Sequence, residues 1–338
     1  MRLLLVYIRE LYILSPFKFM VNILLMVVLG MLEGIGVLMI IPLLMVAGII
    51  PGMQVTTGLT SWLNYFFQNI GLTLSLPLVL FLYTGIIFGQ SWLKRSQSML
   101  NYDIQQSFGV FLSARLFRAV AYADWQFLIS KTKSDITHVI INELMRVNSG
   151  VNNFLQMIST GMITLIQIVI AVLIAPGLTC LVLVSALILF ICLQNFVKKS
   201  RMMGQELSNL NRNLLFDLTE HLNGIKEIKS YGVELTQIQN FIKKRTMMKD
   251  NLVIFNKMQT RVGMLYKVGA AVFISLFLFS AIEVFKLNVG EFIVISVICA
   301  RLWPRFSSLQ MGLQNINSML PAFQATKELE NQCLAARE

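Results

Sequence analysis

Charge is what this sequence lacks most. Asp, Glu, Lys and Arg make up 13% of its 338 residues, about half the share of a soluble globular domain, which excludes that class. Acid is scarcer than base, 17 residues against 28, leaving a formal net charge of +11. The two histidines, His138 and His221, have no His or Cys close in sequence and read as solvated positions on helix faces. The four cysteines, Cys180, Cys192, Cys299 and Cys333, share no C-x-x-C spacing, so neither a zinc site nor a disulfide is expected. Also missing are the phosphate-cradling G-x-x-x-x-G-K-[ST] loop, the G-x-S-x-G turn and the H-E-x-x-H helix. No catalytic set and no metal site is expected in these residues, and nothing in them is expected to hydrolyse ATP.

The charge that is present is unevenly placed. Residues 94–148 and 198–267 are long, charged, helix-like stretches that follow directly on apolar runs and lead back into others. Folded as helical hairpins, stretches of ~55–70 residues would reach ~40 Å beyond a bilayer at about 1.5 Å per residue. Residues 51–76 carry no charged side chain, and neither does the short turn 175–179. Lys- and Arg-rich loops stay on the cytoplasmic side, so the chain projects two basic hairpins inward and almost nothing outward. Basic residues that alternate with acids and flank apolar runs do not read as a nucleic-acid surface. Attraction to anionic lipid of the inner leaflet is the expected use.

Apolar residues make up 56% of the chain, and their runs predict an all-α membrane protein with six spans. Residues 1–15 read as an amphipathic helix at the inner interface, with Arg2 and Arg9 at the headgroups. No cleavable small-residue site follows it. Ser15-Pro16 is a good helix start, capping residue before proline, and opens a first span over 17–50. Trp62, Tyr65, Phe66 and Phe67 read as an outer interfacial helix. Further spans are expected at 77–92, 151–174, 178–197, 262–282 and 289–320, with a return helix over 134–148. Both termini are then cytoplasmic, in the inner (plasma) membrane of the cell.

Three segments of the hairpins and tail carry a family pattern. Leu116-Phe117-Arg118-Ala119-Val120 runs through Asp124-Trp125-Gln126-Phe127 to Ser134-Asp135-Ile136 and Asn142-Glu143-Leu144. Leu222-Asn223-Gly224-Ile225-Lys226-Glu227-Ile228-Lys229-Ser230-Tyr231-Gly232-Val233-Glu234 matches the pattern L-x-G-I-x-x-(V/I)-K-x-(F/Y)-G-x-E. Val289-Gly290-Glu291-Phe292 leads through Arg301-Leu302-Trp303-Pro304 to the tail at Glu330. In order and spacing these resemble the six-span transmembrane domain of ABC exporters of the type I fold, over nearly the whole chain. Ile129 and Ser134 depart from the family pattern at the first hairpin tip. The chain ends at Glu338, where such exporters usually enter their nucleotide-binding domain, so that ATPase is expected downstream or on a separate polypeptide.

The resemblance implies a division into an interfacial helix (1–15), a transmembrane domain (16–322) and a cytoplasmic linker toward the ATPase domain (323–338). It implies coupling helices at the hairpin tips, with Trp125, Gln126 and Phe127 on the first and Tyr231, Gly232 and Glu234 on the second. ATP and Mg²⁺ would sit on the ATPase domain and not on these residues. The second hairpin crosses to a second transmembrane half in this family, so a dimer, identical or mixed, is expected.

Polar residues inside the apolar runs mark a path. Glu33 stands mid-span, where an ionised side chain costs at least ~2.5 kcal/mol on insertion scales. If the first and sixth spans end outside near Ile50 and Asn288, Glu33 lies ~25 Å and Arg301 ~20 Å below that surface. Arg301 or Arg305 is therefore the expected partner, with Lys267, at a similar depth in the fifth span, as the competing one, unless these groups meet cargo directly. Ser307, Gln310, Gln314, Asn317 and Pro321 recur on one face of the sixth span, which reads as the lining of a water-filled path or as helix–helix hydrogen bonding. Gly30, Gly34 and Gly36 read as close helix packing. The expected function is ATP-driven export or flipping of an amphipathic cargo (peptide, lipid or lipid-linked saccharide) by alternating access. The alternatives are a lipid-acting membrane enzyme, which would need clustered acids or histidines at the interface, and a non-transporting regulator of the same fold.

Overall fold

The computed structural model describes residues 2–39, 76–174, 176–283 and 289–337. Residues 51–75, with the expected aromatic helix, and the outer ends of the first and sixth spans fall outside them. Nearly all described residues are helical. The elements in order are α1 (Arg2–Leu14), α2 (Pro16–Leu38), α3 (Leu76–Ala121), α4 (Trp125–Ser130) and α5 (Lys133–His138). A five-residue π-turn, Val139–Glu143, leads into α6 (Leu144–Ile174), followed by α7 (Pro176–Cys192), α8 (Gln194–Asn223), α9 (Ile225–Tyr231), α10 (Glu234–Glu283) and α11 (Val289–Ala335). The structure bears out the all-α architecture read from the apolar runs. Among the described residues, Pro16–Gly36, Lys133–Val172 and Val182–Asn223 each hold an apolar stretch long enough to cross a membrane.

Three helices run without a break from apolar span into charged hairpin, which is what lets the molecule extend. α3 spans 46 residues, passing Lys94 and Arg95 without interruption, and α10 and α11 span 50 and 47. α6 is the centre of the packing and touches α2, α3 and α11. Its approach to α2 depends on absent side chains: a Cβ on Gly30 would come within 2.5 Å of the Ile166 Cδ1, and one on Gly34 would collide with Ile170. The closest contact lies elsewhere. A Cβ on Gly204 of α8 would run into the backbone carbonyl of Ser318 on α11, which cannot swing away as a side chain can.

The main apolar core gathers α1, α3, α6 and α11. Tyr7 stands at its middle, fully buried, with the rings of Phe108, Phe154 and Phe323 edge-on at 5.7, 6.2 and 5.2 Å. Each such pair adds ~0.5–1.5 kcal/mol beyond burial. Burial also pushes the Tyr7 phenol well above its ordinary pKa. So α1 sinks Tyr7 and Leu11 into protein while Val6, Tyr12 and Ile13 stay exposed. Its Glu10 completes a square of charges with Arg115 (3.1 Å), Glu330 (2.7 Å from Arg115) and Lys327 (2.5 Å from Glu10), tying α1, α3 and α11 together. The tail continues α11 to Ala335 with Cys333 buried, and the Ala336 carbonyl accepts the Asp124 N–H at 2.7 Å.

The return strand of the first hairpin differs from expectation in two ways. It is not one helix over 134–148, because the π-turn inserts an extra residue per turn between α5 and α6. And His138 is not a solvated residue: it is 3% exposed, its Nε2 2.9 Å from the fully buried Glu143 carboxylate. The wide turn brings both to the same interior face. Arg146 joins from the next turn, donating to Glu143 at 3.1 Å and to the Gly204 and Ser318 carbonyls at 3.1 and 2.9 Å, with Ser208 also within reach. Asp135, paired through both oxygens with Arg212 at 2.7 and 2.9 Å, makes the second bridge between the hairpins.

Candidate translocation path and coupling surface

The acid and one base read from the sequence meet inside the bundle. The Arg305 guanidinium on α11 donates to the Glu33 carboxylate on α2, with side-chain exposures of 18% and 20%. Arg301, one turn earlier and half-buried, makes no ion pair among the described residues. The polar face of α11 is divided. Gln310 and Gln314 are fully buried; Gln310 accepts from the Tyr266 hydroxyl, while both amide atoms of Gln314 are without partners. Asn317 turns back on its own helix, donating to the Leu313 carbonyl at 2.9 Å. Asn317 is partly exposed, and Ser307 lines an open space.

That space is a cavity of ≈ 860 Å³ between α10 and α11. Tyr266 and Trp303 brace it, the indole N–H donating to the Tyr266 carbonyl. Ala300 and Pro304 both line it; proline has no N–H, so it cannot give the Ala300 carbonyl its helical hydrogen bond. Lys267, Gln259 and Thr260 supply polar groups from the α10 side. The sequence stripe missed this wall because it followed the polar side chains of α11 alone. The cavity needs the partner helix, and an acid-free reach of α10 was the available signal.

The coupling residues lie far along the hairpins. Asp124 caps α4, its carboxylate accepting the Gln126 N–H at 3.4 Å, and Thr132 caps α5 in the same way. Trp125 and Gln126 are exposed, with Trp125 at 69%, while Phe127 packs against the core and under Lys131. At the second tip α9 ends where Gly232 takes φ +64°, a conformation that any Cβ strains. The Val233 N–H then reaches the Ile228 carbonyl at 3.3 Å. Tyr231, 79% exposed, and Leu235, 75%, flank the turn. Glu234 starts α10, where its own backbone N–H and then Lys229, at 3.2 Å, hold its carboxyl below the ordinary range. The residues of each hairpin set lie together at a tip; of those expected on the path, Ser307 lines the cavity, and Glu33, Arg301, Arg305, Gln310, Gln314 and Asn317 are not part of its wall.

Helices long and apolar enough to cross a membrane, two extended charged hairpins and exposed aromatic tips are the features of a multi-pass membrane protein. The comparisons agree. The family profile of the ABC transporter transmembrane region matches residues 37–302, and the chain belongs to that family. Among solved structures, a bacterial Atm1-family ABC exporter with ATP bound superposes with a TM-score of 0.72 at 14% identity, over 94% of this chain and 54% of its own. At that identity the likeness shows the exporter transmembrane fold, and this chain spans about half that structure's length. A search of curated proteins found no matching relative.

Proposed function

We propose that this chain is the transmembrane half of an ATP-driven exporter that moves an amphipathic cargo out of the cytoplasm by alternating access. It acts as a dimer, in the inner membrane, with both termini on the cytoplasmic side. ATP and Mg²⁺ are held by ATPase domains on which the two hairpin tips dock. The observation that carries this reading is the pair of solvent-facing aromatic tips, Trp125 and Tyr231, each fixed by a built cap or turn and each remote from the spans. Apolar side chains held in water by ordered backbone are what a docking surface requires. The buried amides of Gln167 and Gln314, left without partners, support the alternating part. An interface with two arrangements leaves polar groups unmatched in one of them.

The test is coupling. In an assembly with ATPase domains, Gly232→Val strains the left-handed turn and Glu234→Ala removes its anchoring charge. Both are expected to lower cargo-stimulated ATP turnover severalfold while expression and melting temperature hold. Undiminished stimulation in both variants would refute docking at this tip.

A further inference from the structure

We propose that the cargo is an amphiphile with an anionic head, phosphate or carboxylate, and that Lys267 receives that head in the cavity between α10 and α11. The inference rests on the exporter reading and names what the path selects.

The argument begins with charge balance. Lys267 is the single charged residue lining the cavity, and it makes no ion pair among the described residues. The two helices that wall the space supply no acid near it. α10 has none between Asp250 and Glu283, and α11 none between Glu291 and Glu328. Over those lengths the same helices carry Lys257, Arg261, Lys267, Arg301, Arg305 and Lys327. Arg305 has a carboxylate in the bundle, Glu33, and Lys327 has Glu10 and Glu330; the other four make no ion pair among the described residues. Lys267 is exposed at the inner end of an apolar span, facing a concave space whose walls hold no acid, and that placement leaves its ammonium open to an anion.

The rest of the wall fits an anion with a tail. Gln259, Thr260, Ser307 and Ser308 add neutral amide and hydroxyl groups to the same wall. The Gln259 amide and Thr260 hydroxyl donate within the protein, to Asn315 and to the Asn256 and Lys257 carbonyls, and serine hydroxyls can donate to phosphate or carboxylate oxygens. Met264, Ala270 and Met311 give the opposite quality, flexible apolar surface for a hydrocarbon chain. A volume of ≈ 860 Å³ lies in the range of small-molecule pockets, ~300–1,000 Å³. It admits a head group and part of a chain. A cationic cargo would meet Lys267 with like charge and nothing to offset it.

The experiment uses the purified chain in phosphatidylcholine nanodiscs, with empty discs subtracted, and a fluorescent dodecyl phosphate as probe. Dodecanoate, dodecyltrimethylammonium and inorganic phosphate serve as competitors. Dodecyl phosphate and dodecanoate are expected to bind about tenfold or more tighter than the ammonium amphiphile. Lys267→Gln should abolish that preference and Lys267→Arg keep it. Arg261→Gln, which removes an exposed cation outside the cavity wall, should leave it intact. Equal binding by wild type and Lys267→Gln, or loss of preference in Arg261→Gln alone, would overturn the proposal. If inorganic phosphate competes as well as the amphiphiles, the ligand is a free anion and the amphiphile is overturned. No ATPase takes part in this measurement. A negative result here with intact coupled ATP turnover removes the anionic head and leaves the exporter; a positive result with no coupling does the reverse.

Discussion

Glu33 and Arg305 show what one pair of side chains does to a span. Each alone would face hydrocarbon; together they cancel, at 20% and 18% exposure, across α2 and α11. Breaking such a pair from one side costs roughly 3–5 kcal/mol, whereas removing both charges can be nearly neutral. Glu33→Gln and Arg305→Gln are each expected to lower the melting temperature in detergent, and the double variant to recover much of the loss. Arg301→Gln should show no coupling to Glu33→Gln, and strict additivity for Arg305 as well would dismiss the pair. That Glu33 has a cationic partner was legible from the sequence, because an isolated carboxylate at that depth is too costly. The choice of Arg305 over Arg301 was not. They differ by one helical turn, and the depth estimate hung on helix ends at Ile50 and Asn288, outside the described residues. His138 was misread for a related reason: its partner, Glu143, is turned toward it by a π-turn that leaves no trace in hydrophobic periodicity.

Among the elements, the contact of α8 with α11 sets the tolerance of the cytoplasmic extension. Gly204 meets the Ser318 backbone with no room for a methyl, and Arg146 clamps both carbonyls from the side while answering Glu143. Overpacking a rigid contact costs ~1–3 kcal/mol, and here it would also pull two acceptors from a buried guanidinium. Gly204→Ala is therefore expected to destabilise the chain by about that amount, read as a lower melting temperature. Gly85→Ala, at a helical position with nothing within 4 Å, is the control and should be neutral or slightly stabilising. If both alanines behave alike, the close contact is not present in solution. The length of α3 was legible, since its apolar run passes into a helically spaced one beyond Lys94 and Arg95; that α10 starts at Glu234 and that α11 runs on to Ala335, through the stretch read as a linker, was not. What composition could not supply was where helices touch. Gly204 looked like any glycine in a polar stretch, and its role exists only in the presence of Ser318 on an element more than a hundred residues away.

At the scale of the whole molecule, asymmetry is the organising fact. Charge collects in the two hairpins, and the described helices extend there to capped, aromatic-tipped ends; the segment 51–76 carries no charge at all. A chain with this distribution is expected to insert with its basic hairpins on the cytoplasmic side, because Lys and Arg flanking short spans resist translocation. The family pattern made the architecture legible from end to end, since it depends on the order and spacing of segments and not on any one contact. That expected orientation can be tested directly. On a background lacking Cys180, Cys192, Cys299 and Cys333, one cysteine is placed at Thr57 and another at Ser230, an exposed position on the second tip. Ser208 would be a poor reporter of the same hairpin, being buried beside Arg146. An impermeant maleimide applied to intact cells is expected to label position 57 and spare 230, and permeabilised cells to label both. The opposite pattern would invert the topology, put the aromatic tips outside, and remove any route by which an ATPase in the cytoplasm could drive the spans.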